Sequence, residues 1–246
     1  MCSQSSRCTS SQEAGTLQIT NTTKAVELLP AELSPPESVL RVGASAMLQS
    51  NAHEKLSVSV KKALPGEMPR RVVSCSPGGP SSRTAISLLS YRDAVPTGEP
   101  ITYGSKIVIA FKDWNLALGS ACPSTATLGS QVAGKQEIFA AELLRSGDFA
   151  WEIMPADFSQ RLPMSGSPVD PSAPFVLVHC MTGSRLAATT DRVVTDFGVE
   201  SAVCAHTFQE SAGRMHRCMK EANGFPYMPH GSRRETEPNL WRIVFS

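Results

Sequence analysis

The chain has 246 residues, of which 41% are hydrophobic, and 23 lysines and arginines against 22 aspartates and glutamates leave a net charge of +1. This length allows one large domain or two small ones, with ample material for a core. The even charge balance argues against a dedicated nucleic-acid surface, which needs clustered excess Lys and Arg, and no window approaches the ~18 uninterrupted apolar residues of a membrane helix.

The first 34 residues are rich in Ser and Thr and show no sustained periodicity before residues 26–29. We predict an irregular N-terminal tail over residues 1–34, with Pro35-Pro36 marking the boundary before the structured part. The start of the chain lacks the apolar run of a signal peptide. The whole chain has 7 cysteines, an odd number, and they are irregularly spaced. We therefore expect free thiols in a reducing compartment.

Three windows have the pattern of strand, tight turn and strand. They are residues 43–59 (GASAMLQSNAHEKLSVS), 104–120 (GSKIVIAFKDWNLALGS) and 175–188 (FVLVHCMTGSRLAA). In the third window, Gly183 supplies the positive φ that a hairpin turn requires. The offsets between successive windows are 61 and 68 residues when Met47, Val108 and Val176 are taken as equivalent positions. That spacing suits a four-stranded unit with long loops better than a solenoid repeat.

Further strand-like segments follow each hairpin. They lie at residues 72–73 and 84–89 in the first unit, 137–144 and 151–153 in the second, and 201–208 and 241–244 in the third. Three units of about four short strands predict an all-β fold that closes on itself with pseudo-threefold symmetry, a β-trefoil, because closure removes unpaired strand edges. The alternative is that an ordinary β protein contains three such hairpins by coincidence.

The predicted domain spans residues 35–246, with units at about 38–93, 101–155 and 172–246 and long loops between strands. Residues 154–174 contain five prolines and predict an extended surface linker, because proline disrupts both helices and central strands. Residues 211–239 form a polar, basic insertion before the last strand. A loop of that length is usually functional or disordered.

A cluster of thiols and imidazoles raises the question of a zinc or thiol site. The residues are His179, Cys180, Cys204, His206, His216 and Cys218. Two pairs, Cys204 with His206 and His216 with Cys218, supply nitrogen and sulfur ligands, but zinc pairs usually have two or more intervening residues. We favour core and loop roles for these residues. No nucleophile elbow, phosphate-binding loop or zinc-protease motif occurs, so we predict no catalytic residue, no cofactor and no metal.

The three tryptophans divide into two groups. Trp151 and Trp241 fall at equivalent unit ends, which predicts buried core positions. Trp114 lies in a turn beside Asp113 and Asn115, so it is the tryptophan expected to be exposed, and it suggests the hypothesis of a sugar-stacking site.

Several short motifs, in order, resemble the MIR-like β-trefoil of the cilia- and flagella-associated protein 161 family. They are RTAISLLSYRD (residues 83–93), ITYG (101–104), VHCMTGSRLAA (178–188), AHTF (205–208) and the Trp strand at 240–244. The resemblance covers residues from about 38 to 246. The family's N-terminal segment is not visible, since residues 1–34 stand in its place, and residues 211–239 are longer than the family's loop.

The resemblance implies a non-enzymatic microtubule inner protein on the luminal wall of axonemal doublet microtubules, beside α/β-tubulin and neighbouring inner proteins. It would stabilise the lattice and contribute to ciliary and flagellar motility, with no nucleic-acid or membrane partner. We expect the tail and residues 211–239 to make the contacts, because neither can pack a core of its own. Arg70, Arg71, Arg233 and Arg234 are the predicted contact residues. The alternative function is a β-trefoil module that binds a glycan or inositol phosphate.

Overall fold

The computed structural model describes residues 29–62, 70–91, 96–121, 132–142, 146–208 and 235–245. Within these ranges the fold is all-β, as predicted, with short 3-10 helices at Lys112–Trp114, Gly147–Phe149, Phe158–Gln160 and Glu237–Asn239. The strands are β1 (Ser45–Ser50), β2 (Lys55–Lys62), β3 (Arg71–Ser76), β4 (Ala85–Ser90), β5 (Lys106–Phe111), β6 (Leu116–Ser120), β7 (Gln136–Glu142), β8 (Trp151–Pro155), β9 (Phe175–His179), β10 (Leu186–Thr195), β11 (Gly198–Ala205) and β12 (Trp241–Val244). None of the helices in this part of the chain has the length and apolar character needed to cross a membrane.

Six strands close a ring by antiparallel pairing. β4 joins β1 to β5, β8 joins β5 to β9, and β12 joins β9 back to β1. Successive side chains of a strand point to opposite faces. In β5, Ile107, Ile109 and Phe111 therefore enter the central core. Val108 points the other way and packs with Phe139 in a separate cluster.

Three hairpins, β2–β3, β6–β7 and β10–β11, extend the ring at one end. Their second strands also pair with one another, so β3 contacts both β7 and β11, and β7 contacts β11. These pairings close a longer path of ten strands in the order β11-β3-β2-β1-β12-β9-β8-β5-β6-β7 and back to β11. Closure leaves few unpaired strand edges, which is the reason why a closed fold was predicted from the sequence.

Three buried residues join one another where β1, β5 and β9 are entered, at the end of the ring away from the hairpins. The Leu40 N–H donates to the carbonyl of Val169, the Val169 N–H to the carbonyl of Ile101, and the Ile101 N–H to the carbonyl of Leu40. The distances are 3.0, 2.9 and 2.8 Å, and all three residues belong to the central core. The three entry segments are therefore held together by a cyclic set of backbone hydrogen bonds.

The three predicted hairpins are confirmed, and so are the strands closing each unit. Three predictions need correction. The strand predicted at 72–73 runs over Arg71–Ser76, and the strand predicted at 201–208 begins at Gly198 and ends at Ala205. The linker predicted to be extended and on the surface at 154–174 begins inside β8, contains a 3-10 helix and buries Val169 in the core. The outward half of β10 and the start of β11 were missed, because the apolar residues Val193 and Val194 do not alternate with polar ones and lie in a largely exposed part of the hairpin.

The N-terminal boundary is partly described. Residues 29–34, assigned to the irregular tail, contain no strand, but Ser34 exchanges hydrogen bonds with Ser45 of β1 and the Leu29 carbonyl accepts from the Ser82 N–H. Residues 1–28 lie outside the described ranges. The end of the predicted tail is thus attached to the barrel.

Candidate partner-binding surface

Two of the predicted contact residues, Arg70 and Arg71, lie at the start of β3 and point to opposite sides. The Arg70 guanidinium is 3.4 Å from the Glu137 carboxylate and lies over the Phe139 ring, 4.2 Å from its centroid. The Arg71 guanidinium lies over the Trp114 ring at 4.3 Å. Both arginines are half-buried and engaged within the chain. A partner would therefore meet positive charge whose orientation is already fixed.

Trp114 forms the platform beneath Arg71. It ends a 3-10 helix, and Asn115 reverses the chain with a φ of 50°. The indole N–H donates to the Ser82 carbonyl at 3.0 Å, and the ring packs against the central core. The exposure predicted for Trp114 is thus only partial, because Arg71 covers one ring face and the core covers part of the rest. This geometry gives the sugar-stacking hypothesis no support.

The other two predicted contact residues, Arg233 and Arg234, lie outside the described residues. The described chain resumes at Glu235, whose side chain is only 4% exposed. Its carboxylate is 2.7 Å from the Arg161 guanidinium and 3.4 Å from that of Arg185. Glu235 therefore ties the proline-rich linker between β8 and β9 to the turn that leads into β10.

A small hydrogen-bonded neck, residues 206–208 and 235–239, joins the two ends of the 209–234 segment. The fully buried Asn239 side chain accepts from the Phe208 N–H at 2.8 Å and donates to the His206 carbonyl at 2.7 Å. The Thr236 N–H donates to the Phe208 carbonyl at 3.2 Å. The sequence predicted an insertion that reaches residue 239. This predicted end is too late, because residues 235–239 pack on the barrel.

His179, one of the candidate zinc ligands, is fully buried and both ring nitrogens are used. Nε2 is 3.0 Å from the Asp148 carbonyl, which can only accept, so Nε2 carries the proton. Nδ1 then accepts from the Thr182 hydroxyl at 3.0 Å and from the Gln136 amide at 3.4 Å. Burial lowers the pKa of His179. The ring is a neutral structural group against Trp151, with no lone pair left for a metal.

The cysteine thiols in the described ranges lie in environments that disfavour the thiolate. Burial raises the pKa of Cys204 to about 11 and raises the pKa of Cys180. Cys204 is fully buried, as the core interpretation predicts. Nε2 of His206 is 3.1 Å from the Lys135 ammonium, while His216 and Cys218 lie outside the described residues. In the described part of the chain, no group of three His, Cys, Asp or Glu residues is placed to hold a metal.

Exposed apolar side chains are a feature that sequence reasoning missed. In the described ranges the large ones are Leu29, Phe158, Leu162, Met181, Val194 and Val199. Phe158 and Leu162 flank Arg161 on the linker, and Arg161 lies over the Phe158 ring. Val194 and Val199 face each other across the β10–β11 hairpin. A valine in a strand is normally interpreted as a core residue, so the local sequence did not distinguish Val194 and Val199 from buried valines.

The described surface thus belongs to a closed all-β barrel domain with fixed arginines, a clamped neck and scattered apolar side chains. Two solved structures match most of this chain and nearly all of their own. A Caenorhabditis elegans protein of unknown function has 16% identity and a TM-score of 0.59, covering 86% of this chain and 99% of that one. The SDF2-like protein from Arabidopsis thaliana has 13% identity and a TM-score of 0.60, covering 84% and 94%. At such identities the likeness concerns the fold alone.

A third match is to part of a larger chain, in the S. cerevisiae protein O-mannosyltransferase Pmt1-Pmt2 complex bound to the sugar donor. It has 14% identity and a TM-score of 0.55, and it covers 85% of this chain but 26% of that one.

A match to a protein family identifies this chain more specifically than its likeness of fold to solved structures. Residues 125–218 match the cilia- and flagella-associated protein 161-like domain, so the family resemblance seen in the sequence is confirmed over that stretch. The matched region includes β7 to β11 and therefore the VHCMTGSRLAA and AHTF motifs. No curated protein matches the chain.

Proposed function

We propose that this chain is a non-enzymatic structural protein of the cilium or flagellum, a microtubule inner protein on the luminal wall of axonemal doublet microtubules. In this role it contacts α/β-tubulin and neighbouring inner proteins, stabilises the lattice and contributes to motility. The observation that carries the proposal is the match of residues 125–218 to the cilia- and flagella-associated protein 161-like domain.

We also propose that the barrel is a MIR-like β-trefoil. The support is a relationship that recurs from unit to unit. The buried Trp151 indole donates to the Leu118 carbonyl in β6, and the buried Trp241 indole donates to the Leu186 carbonyl in β10, at 2.8 and 3.0 Å. Each tryptophan begins the closing strand of its unit and binds the first strand of that unit's hairpin. A rigid closed core of this kind suits a spacer in a fixed assembly.

The chemistry of the described residues favours a role without catalysis. Burial raises the pKa of the Cys75, Cys180 and Cys204 thiols, whereas a nucleophilic cysteine needs a lowered pKa. The buried histidine His179 is committed to hydrogen bonds inside the core. Nothing in the geometry of the described residues favours the alternative module for glycan or inositol phosphate.

We assign the lattice contacts to the N-terminal tail, to the 209–234 segment and to the arginines Arg70, Arg71, Arg233 and Arg234. The 209–234 segment carries five Lys and Arg residues against two Glu residues. The neck contacts in the described part of the chain join residues 206–208 to residues 235–239, on either side of this segment. The assignment rests on the length and basic composition of the segment.

The test expresses tagged protein in ciliated cells that lack the endogenous chain, extracts the axonemes with detergent and measures the retained fraction. One variant replaces residues 209–234 with a short Gly-Ser linker and keeps the neck, and a second also removes residues 1–28. The control variant replaces Lys112 and Asp113, two exposed residues of the β5–β6 turn, with alanine.

We expect the wild-type chain and the control to stay with the extracted axoneme, and the double truncation to be released although its thermal unfolding midpoint is close to wild type. Full retention of the double truncation would contradict our assignment of the contacts. A wild-type chain found only in the detergent-soluble fraction, with measurable affinity for a glycan or phosphoinositide, would instead support the alternative module.

A further inference from the structure

Serine is followed by proline at three positions in the chain, Ser34, Ser76 and Ser167. A serine followed by proline is the minimal sequence that proline-directed protein kinases modify, and these enzymes bind the substrate segment in an extended conformation. The residue before a proline is itself biased towards extended conformations, because the pyrrolidine ring disfavours the α region there. Which of the three serines a kinase can reach therefore depends on how the fold holds each of them.

Two of these serines are held within the barrel. Ser76 ends β3, pairs with Lys55 of β2 and is only 8% exposed. Ser167 is followed two residues later by Val169, which is fully buried and takes part in the cyclic set of backbone hydrogen bonds. A kinase can bind either serine in an extended segment only after part of the barrel has opened.

Ser34 is held differently. It is half-buried and lies outside the strands, and the residues that follow it, 35–38, are all exposed. Its segment, residues 29–34, is the base of the predicted N-terminal tail. Because this base is joined to the barrel by hydrogen bonds at its two ends, it can lift away without breaking the pairing of any strand.

The Ser34 hydroxyl is one of the groups that attach the tail base to the first residue of β1. The Ser34 N–H donates to the Ser45 carbonyl at 2.7 Å, and the Ser34 hydroxyl accepts from the Ser45 N–H at 2.9 Å. The Ser45 hydroxyl donates to the Glu32 carbonyl at 3.2 Å. At the other end of the base, the Leu29 carbonyl accepts from the Ser82 N–H at 3.0 Å. A change at the Ser34 oxygen therefore acts directly on the attachment of the tail.

We propose that Ser34 is a phosphorylation site for a proline-directed protein kinase, and that phosphate at this position releases the base of the tail from the barrel. The Ser34 oxygen attacks the γ-phosphorus of ATP bound to the kinase. The new O–P bond forms as the bond from the γ-phosphorus to the β,γ-bridging oxygen breaks, ADP leaves, and the hydroxyl proton passes to a carboxylate of the kinase. This modification concerns only the attachment of the tail to the barrel, so it is independent of the proposed microtubule location.

Phosphate is unfavourable in the place that the Ser34 hydroxyl occupies. It adds a charge of about −1.5 to −2 at a half-buried position. Glu32 and Glu37 are close to it in the sequence, and like charges repel. Arg41 is the only Lys or Arg between residues 25 and 54, and its guanidinium already contacts the Glu37 carboxylate at 2.7 Å. The tail base thus supplies no cation to compensate the added charge, which favours its release into water.

The first test incubates the full chain with MgATP and a purified mitogen-activated protein kinase, which is proline-directed, and locates phosphate by mass spectrometry at successive times. Because local opening costs less than opening of the barrel, we expect Ser34 to be modified at least about tenfold faster than Ser76 or Ser167 in the same chain. Pro35→Ala is the matched control, because it keeps the Ser34 hydroxyl but removes the proline that the kinase recognises. Its Ser34 should stay unmodified.

Two outcomes of this first test would overturn the assignment of the site. One is a wild-type chain in which Ser34 acquires no phosphate. The other is modification of Ser76 or Ser167 as fast as that of Ser34, which would show that the fold does not select among the three serines.

The second test measures amide hydrogen exchange by NMR at Ser45 and Ser82, whose N–H groups bond to the two ends of the tail base. We expect phosphorylation of Ser34 to speed the exchange of both amides at least about tenfold. Ser34→Ala removes only the acceptor of the Ser45 N–H, so the Ser82 amide should stay protected. Ser38→Glu adds a negative charge at a nearby exposed position and should leave both amides unchanged.

A barrel that stays folded distinguishes release of the tail base from general unfolding. The thermal unfolding midpoint of the phosphorylated chain should lie near that of the unmodified chain, and treatment with a phosphatase should return both amides to slow exchange. A Ser82 amide that stays protected after phosphorylation, or a barrel that unfolds with it, would overturn the proposed release.

Discussion

Arg83 and Glu200 form a buried ion pair that links the first unit of the barrel to the third. The guanidinium is 3.1 Å from the carboxylate, and the two side chains are only 5% and 6% exposed. The Arg83 Nε also donates to the Val58 carbonyl in β2 at 3.0 Å, and the Ser74 hydroxyl donates to Glu200 at 2.6 Å. In the unit without a closing tryptophan, Arg83 thus makes the hydrogen bond to the first hairpin strand that Trp151 and Trp241 make in the others.

Removing one member of this pair should be costly. We expect Arg83→Met to lower the free energy of unfolding by about 3–5 kcal/mol, because Glu200 is left as an uncompensated buried charge. Urea denaturation at pH 7 measures the loss. The control is Arg41→Met, which breaks the exposed ion pair with Glu37 and should cost about 0–1 kcal/mol. Equal losses in the two variants would contradict the role assigned to Arg83.

The two buried indoles should be equivalent in energy. Trp151→Phe and Trp241→Phe each leave a buried carbonyl, of Leu118 or Leu186, without its N–H donor. We expect each variant to lose about 1–3 kcal/mol from the hydrogen bond, in addition to the loss of ring volume. Trp114→Phe, at a half-buried position, should cost less. A loss confined to one of the two buried tryptophans would count against their equivalence.

Gly43 occupies a position that a side chain does not fit. Its φ is +85°, and an added Cβ would lie 2.5 Å from Cγ2 of Thr97. We expect Gly43→Ala to destabilise the chain by about 1–2 kcal/mol, because an L-residue is strained in this region. Gly79→Ala is the matched control, since that glycine has no positive φ and no neighbour within 4 Å. Thermal unfolding of both variants measures the difference, and similar midpoints would refute the expectation.

His179 should make stability depend on pH below neutrality. Burial lowers its pKa from the ordinary value of 6.5, so the folded chain binds fewer protons than the unfolded chain as the pH falls below about 6.5. Its contribution is complete above that pH and decreases in more acidic solution. We expect His179→Gln to lose less stability than wild type between pH 7.5 and pH 5.0, measured by urea denaturation.

A second histidine provides the comparison. Partial burial and the neighbouring Lys135 lower the pKa of His206 as well. His206→Gln should therefore change the pH dependence of stability in the same pH range. The pKa of Asp170 is lowered from 3.8, so its effect belongs to a more acidic range. An identical pH profile for wild type and His179→Gln would show that His179 is not held neutral by the fold.

The parts of the fold that were predictable are those with local apolar periodicity. The three hairpins and the tryptophan strands were found because alternating apolar residues and turn glycines are read within a few positions. The outer half of the β10–β11 hairpin was missed, because Val194 and Val199 are exposed there and the segment lacks the alternation of apolar and polar residues typical of a half-buried strand. The strand that pairs with another to close the barrel can lie far along the chain, as β12 does from β1, so local periodicity does not identify this pairing.

The residues that organise the candidate surface were less accessible from the sequence. Asn239 closes the neck through partners 31 and 33 residues away, and Arg83 meets Glu200 at a separation of 117 residues. Nothing near a single Asn or Arg in the sequence indicates such contacts. Arg70 and Arg71 were noticed as a pair, but their stacking on Phe139 and Trp114 follows from the meeting of β3 with β7 and the β5–β6 turn.

We propose that the closed barrel of three related units lies inside the doublet microtubule, with the segments outside the barrel in contact with the lattice. Cryo-electron microscopy of doublets from cells with and without this chain tests this location. We predict that the difference map contains a barrel-shaped density on the luminal wall, with further density extending from the neck to tubulin or a neighbouring protein. Identical luminal density in the two samples would contradict the claim.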